Sequence, residues 1–233
     1  MNGGLWAGAR KAVKPGKQPF VRMMSKYLKL NLIPFAIELI FIVSCFVFPR
    51  QYFIYTNFLF YLLLLIYFVI RKDFSIKEWM YNIKSGKAFW KQVIITAIFF
   101  VLGFVITVVL ENTFPYYDTG TIVLKRDSWL KLILFSISTI LFPAITEETF
   151  YRKNMISFSG KGILILTTIS SMFLYALEHS LRIWGIFLTM IWAVPLSVSY
   201  IKTKNVYVPM TAHFIGNLLG NGIDVIIAIN SMI

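Results

Sequence analysis

In this chain of 233 residues, 58% are hydrophobic and only 14% charged. Soluble domains carry about a quarter charged residues and fewer than half apolar ones, so the composition excludes an ordinary soluble fold and points to a membrane protein. The net charge of +13 raises nucleic-acid binding as a question of where the charges sit, and a single cysteine, Cys45, rules out both a disulfide framework and a zinc–thiolate cluster.

The first 29 residues hold seven basic side chains, no acidic ones and no apolar core. That pattern predicts a basic cytoplasmic segment over 1–29 without a cleavable signal, followed by an uncleaved anchor. A helix needs roughly 20 mostly apolar residues to cross the hydrocarbon. Seven segments come close: 30–48, 52–70, 93–110, 129–158, 162–180, 183–201 and 209–230. Turn-forming or polar stretches separate them, among them Pro49-Arg50-Gln51, Arg71-Lys72-Asp73, residues 111–128 and Ser157 to Gly162. Without an internal repeat or low-complexity tract, residues 30–233 read as one all-α, polytopic membrane domain. In the 71–92 loop, Ile76, Trp79, Met80 and Ile83 recur at helical spacing beside Lys77, Lys84 and Lys87. This predicts a short helix lying on the membrane surface.

Placement then settles the meaning of the net charge. With the N-terminus inside, 18 basic residues fall on the inner side, against four outside and Lys131 at a helix start. This is the positive-inside pattern. It accounts for the charge without a nucleic-acid partner, and the basic N-terminus is suited to an anionic lipid surface.

Against this apolar background, "TEETFYRKN" (146–154) is costly, because ionisable groups at membrane depth are rare. Both histidines, His179 and His213, also fall in membrane segments. No glycine or proline interrupts the chain between Glu147 and the Ser157–Gly162 turn, so the fourth helix is expected to continue past the glutamates. Counted from that turn, Glu147 lies about 18 Å and His179 about 25 Å deep at 1.5 Å per residue, comparable depths on antiparallel helices. "NVYVPM" (205–210) contains β-branched residues and Pro209. It is expected to be extended, carrying the chain about 20 Å inward before a last helix starts near Thr211. On that helix His213, Asn217, Asn221 and Asp224 share a face, and Gly216 and Gly220 form a small-xxx-small pair suited to close helix approach.

Glu148 and Arg152 stand at i,i+4 and can pair. Glu147 points about 100° away, without an obvious cation, and suits a general base that takes a proton from water. His179 could share that water or protonate a leaving amine, while His213 and Asn217 could donate to an oxyanion. The same spacing admits a metal site, with Glu147, His179 and His213 around a divalent ion such as zinc. It also admits a polar network that only holds helices together. Glu38, in the first helix, could pair across helices, line the cavity or be a satisfied core acid. Glu178, beside His179, is expected to face the outer interface.

"EETFYR" has the form Glu-Glu-x-x-x-Arg, "HFIGN" the form His-x-x-x-Asn, and "YALEH" resembles Phe-x-x-x-His with Tyr175 in the first position. In order and spacing the three resemble the CPBP family of intramembrane proteases, over about residues 130–222. That family includes CAAX prenyl endopeptidases and bacteriocin-processing or self-immunity proteins. The resemblance implies Glu147 as catalytic base with His179 as its partner, His213 and Asn217 stabilising the oxyanion, and Glu148 with Arg152 as a structural pair. Tyr175 and Asn221 would line the site.

The resulting expectation is a membrane endopeptidase acting on a membrane-anchored protein or peptide precursor, with a site open to the cytoplasm of a bacterium and no cofactor required. The alternatives are a non-catalytic bacteriocin-immunity or regulatory scaffold, and a small transporter with proton-relaying acids. Oligomeric state is not legible.

Overall fold

The structure, a computed structural model, describes residues 20–233, with side chains from Leu28 onward; most of the basic 1–29 segment lies outside these residues. Eight helices occur among the described residues: α1 (Phe20–Val47), α2 (Phe53–Ile70), α3 (Ile76–Ile83), α4 (Lys87–Thr113), α5 (Trp129–Asn154), α6 (Lys161–Leu177), α7 (Ile183–Thr203) and α8 (Tyr207–Met232). Among the described residues there are no strands, and the all-α reading holds. Six helices are long and apolar enough to cross a bilayer, against the seven spans expected. The difference is α6, which at 17 residues falls just short. Together these helices make the chain an integral membrane protein.

Polarity is arranged the reverse of a soluble core. Large apolar side chains such as Phe46, Ile70, Ile98 and Ile226 face outward, where lipid rather than water can cover them. Hydroxyl and amide groups are buried and bond helix to helix. Asn57 Nδ2 donates to Ser138 Oγ at 3.1 Å, Thr96 Oγ1 to Ser199 Oγ at 2.8 Å, and Trp192 Nε1 to Thr107 Oγ1 at 2.9 Å. Such bonds, with close approach at small residues, hold membrane helices together where no hydrophobic force between them acts. Gly216 provides one such approach: a Cβ there would lie 2.6 Å from the Phe100 ring of α4. Gly220, its expected partner, has nothing within 4 Å and faces open space.

The surface helix is present, with a different attachment. Ser75 caps α3 by accepting from Glu78 N at 3.3 Å. Ile76 and Met80 are exposed as expected, but Trp79 turns inward and donates to Thr211 Oγ1 at 2.8 Å. Tyr207 Oη donates to Glu78 Oε2 at 2.7 Å, so α3 is docked on the start of α8.

That start differs from the extended stretch expected over 205–210. α8 begins at Tyr207 and runs unbroken through Pro209. Proline in a first helical turn removes an N–H that has no helical partner anyway. Asn205 completes the cap, its Oδ1 accepting from Tyr207 N at 3.0 Å.

α5 is the central element, packed against α1, α2, α6, α7 and α8. As expected it continues past the glutamates, though it ends at Asn154 rather than near 158. It is not a uniform α-helix: Ile137–Leu141 and Glu148–Asn154 are π-helical, a form that concentrates at functional sites.

At the far end of α6 the 114–128 segment acts as a strap. Ile122 N donates to His179 O at 3.0 Å, Leu181 N donates to Gly120 O at 3.1 Å, and Ser180 Oγ donates to Thr119 O. Gly120 makes this possible. Its φ is +60°, and a Cβ would run into the side chain and backbone of Arg182. A left-handed conformation costs an L-residue about 1–2 kcal/mol, to which the overlap adds. Gly120→Ala is therefore expected to lower the unfolding temperature of the purified protein and to weaken activity through His179. An unchanged melting curve would show that the strap is dispensable.

Candidate active site

Glu147 ends the α-helical part of α5 and Glu148 begins its second π-helical stretch; both are fully buried. The expected pair forms, with Arg152 Nε 3.4 Å from Glu148 Oε2 and both side chains fully shielded. Arg152 also lies over the Tyr175 ring, 4.6 Å from its centroid, so the guanidinium charge meets a carboxylate and an aromatic face.

His213 arrives from α8 between the two glutamates. Its Nδ1 is 2.9 Å from Glu148 Oε1 and its Nε2 is 3.8 Å from Glu147 Oε2. A carboxylate oxygen accepts, so the Nδ1 hydrogen is directed to Glu148 and Nε2 is the atom turned towards Glu147. As expected, no lysine or arginine pairs with Glu147 among the described residues; its neighbours are an imidazole and a phenol. Its other oxygen, Oε1, accepts from Tyr61 Oη of α2 at 2.5 Å.

His179 comes from the turn after α6, two residues beyond the helix end at Leu177. The depth estimate holds: ligand atoms of Glu147, Glu178 and His179 lie within 4.8 Å of one another. His179 Nδ1 sits 3.0 Å from Tyr175 O. A carbonyl can only accept, which puts the hydrogen on Nδ1 and leaves the Nε2 lone pair for the site. Tyr175 is 1% exposed, with its ring 4.7 Å from that of His179.

Other expected residues are placed as follows. Asn217 is half-buried one turn beyond His213. Asn221 Nδ2 donates to Thr139 O at 2.9 Å, tying α8 to the first π-helical stretch of α5. Asp224 pairs with Arg126 at 3.2 Å. Glu38 is buried beside Tyr151.

Glu178 corrects an expectation. It is 4% exposed and faces the site rather than the outer interface. Tyr151 Oη donates to its Oε1, and Tyr61 Oη lies 3.3 Å from its Oε2. The sequence reading placed 178 inside a helix continuing to 180. Instead the helix ends at Leu177, and the turn held by the strap swings Glu178 inward. Tyr61 and Tyr151 were not foreseen as site residues.

Among the described residues, the acid–imidazole set with metal-ligand spacing contains Glu178, and not His213, alongside Glu147 and His179. Two carboxylates and an imidazole whose Nδ1 hydrogen is held by a carbonyl form a donor set suited to zinc.

Residues 129–219 match a family model described as Type II CAAX prenyl endopeptidase Rce1-like. The match covers Glu147, Glu148, Arg152, His179, His213 and Asn217, and the structure gathers the two glutamates, the arginine and both histidines into one cluster, buried except for the partly exposed His179. The likeness to that family is confined to this segment, which is less than half of the chain. No curated protein and no solved structure matches the chain. The matched segment spans α5 to the first half of α8, so its charged residues are enclosed by α2 and by the strap, which lie outside it.

Proposed function

We propose that this protein is an endopeptidase working within the membrane, hydrolysing a peptide bond of a membrane-anchored protein or peptide precursor with water activated by Glu147. Glu147 accepts a proton from water while the water oxygen bonds to the scissile carbonyl carbon. The carbonyl electron pair moves to oxygen, where Asn217 is a donor at hand and His213 is one through Nε2 when its ring carries hydrogens on both nitrogens. Glu147 then delivers the proton to the leaving nitrogen and the C–N bond breaks, with His179 steering that proton through its Nε2 lone pair. The observation that carries this reading is the convergence of Glu147, His179 and His213, from three elements, in a buried site. A divalent metal, if bound, would be held by Glu147, Glu178 and His179 and would supply a more acidic water.

The orientation follows the basic residues: the end of the bundle carrying Lys153, Lys202 and Lys204 faces the cytoplasm of a bacterial cell. A cavity of about 430 Å³ opens at that end, between Glu78, Lys153, Tyr200, Lys204 and Tyr207. The strap closes the other end over His179. Substrate access from the cytoplasmic side is consistent with both. A transporter is disfavoured: it should show paired repeats or broken helices in both halves, and the one break expected, near Pro209, is a continuous helix.

The test is a comparison of membranes carrying the wild-type protein and His179→Ala at matched levels. Cleavage of the processed precursor, found by proteomics as the species that accumulates, is expected to fall about 10²-fold or more. Full processing by both His179→Ala and Glu147→Gln would instead identify a scaffold.

A further inference from the structure

Glu147 is the last residue of a short α-helical run in α5, Phe142–Glu147, which follows directly on the π-helical stretch Ile137–Leu141. Where Glu147 points is therefore set by how α5 leaves that stretch. A π turn holds one residue more than an α turn: Phe142 N donates to Ile137 O, five residues back instead of four. At 3.6 residues per turn, one extra residue rotates everything after it by about 100°. Were the stretch to close into an ordinary α-helix with Trp129–Ser136 unmoved, Glu147 would take the direction now held by Glu148. Thr146 would take that of Glu147. The base would then leave Tyr61 Oη and His213 Nε2, which lie 2.5 and 3.8 Å from its two oxygens.

Pro143 accounts for the widened turn. In an α-helix the carbonyl of Thr139 accepts from the N–H of residue 143. Proline has no N–H to give, and its ring crowds that same carbonyl. Thr139 O receives its hydrogen from another helix instead: Asn221 Nδ2 of α8 donates to it at 2.9 Å. A carbonyl only accepts, so the amide nitrogen is the end of Asn221 that must face it. One residue earlier, Asn57 Nδ2 of α2 donates to Ser138 Oγ at 3.1 Å, with both side chains buried. The stretch is thus pinned from two sides. Asn221 stands about two turns beyond His213 on the same face of α8. The helix that carries this imidazole also holds the turn that aims the base.

We infer that Asn221 is a positioning residue: by giving Thr139 O the hydrogen that Pro143 lacks, it holds the widened turn of α5 and keeps Glu147 directed at His213. This rests on Glu147 acting as the base. The arrangement fixes the base and the oxyanion donors relative to each other through one helix, because His213, Asn217 and Asn221 all project from α8.

The test is a double-mutant cycle on the purified full chain, read both as unfolding temperature and as single-turnover cleavage of the identified precursor in liposomes. Asn221→Leu, close in size and without a donor, is expected to lower the unfolding temperature by about 2–4 °C. In a Pro143→Ala background residue 143 has an N–H for Thr139 O, so the same substitution should cost less than half as much. Pro143→Ala alone is expected to be at least as stable as the wild type. Its kcat should nevertheless fall about 10- to 10²-fold with KM little changed, because the closed turn carries Glu147 away. Asn221→Leu should lose about tenfold in kcat per folded molecule. Stability losses that simply add would overturn the inference. So would wild-type kcat in Pro143→Ala, or an Asn221→Leu protein that is less stable yet turns over normally, since Asn221 would then only tie two helices together. An active Glu147→Gln would sink the proposed base and leave the unfolding cycle to decide whether Asn221 stands in for the missing N–H of Pro143.

Discussion

Glu147→Gln is expected to lower kcat by about 10²- to 10⁴-fold, the usual contribution of a positioned general base, while leaving the amount of folded protein in the membrane unchanged. The substitution separates chemistry from structure. Glutamine has the volume of glutamate and keeps an oxygen to accept the Tyr61 hydroxyl, now 2.5 Å from Glu147 Oε1. It cannot take a proton from water. Neighbouring charges change little, because Glu148 retains both Arg152 and His213. The check is single-turnover cleavage of the identified precursor by purified variants in liposomes, with unfolding temperatures recorded beside the rates. A fall of less than tenfold would mean that the proton goes elsewhere, His179 being the nearest candidate. If Glu147 and His179 act on the same water, the double variant Glu147→Gln/His179→Ala should be scarcely slower than the slower single one.

What the sequence disclosed of this site was set by the range of the interactions involved. The Glu148–Arg152 pair is local, and i,i+4 spacing was enough to find it. The meeting of Glu147 and His179 followed from counting residues back to one turn, and survived even though α6 ended earlier than expected. Glu178 was misplaced because its direction depends on where α6 stops, which in turn depends on hydrogen bonds from a strap some 60 residues earlier in the chain, such as Ser180 to Thr119. Tyr61 sits in an unbroken apolar run, and nothing in that run marks it as a donor to a carboxylate 86 residues away. The π-helical stretches of α5 leave no periodic trace over five or seven residues. Pro209 misled for a simpler reason: the same residue breaks a helix interior and fits a first turn.

The largest effect on stability is expected from Arg152. Arg152→Met keeps much of the side-chain length and removes the charge, which leaves Glu148 in a fully buried position with His213 as its remaining partner. Breaking a buried ion pair from one side costs about 3–5 kcal/mol, since the survivor is an uncompensated charge. The guanidinium also gives up its place 4.6 Å over the Tyr175 ring, and Tyr175 supplies the carbonyl that orients His179. A fall of roughly 10 °C in the unfolding temperature is expected, read on the purified protein in detergent. Adding Glu148→Gln to Arg152→Met should recover part of the loss, because the stranded carboxylate is then gone; a double variant whose losses simply add would show that the two residues are not coupled. The kinetic signature should differ from that of Glu147→Gln. Per folded molecule, Arg152→Met should lose less in kcat, because its charge supports the frame of the site while the proton of the attacking water goes to Glu147.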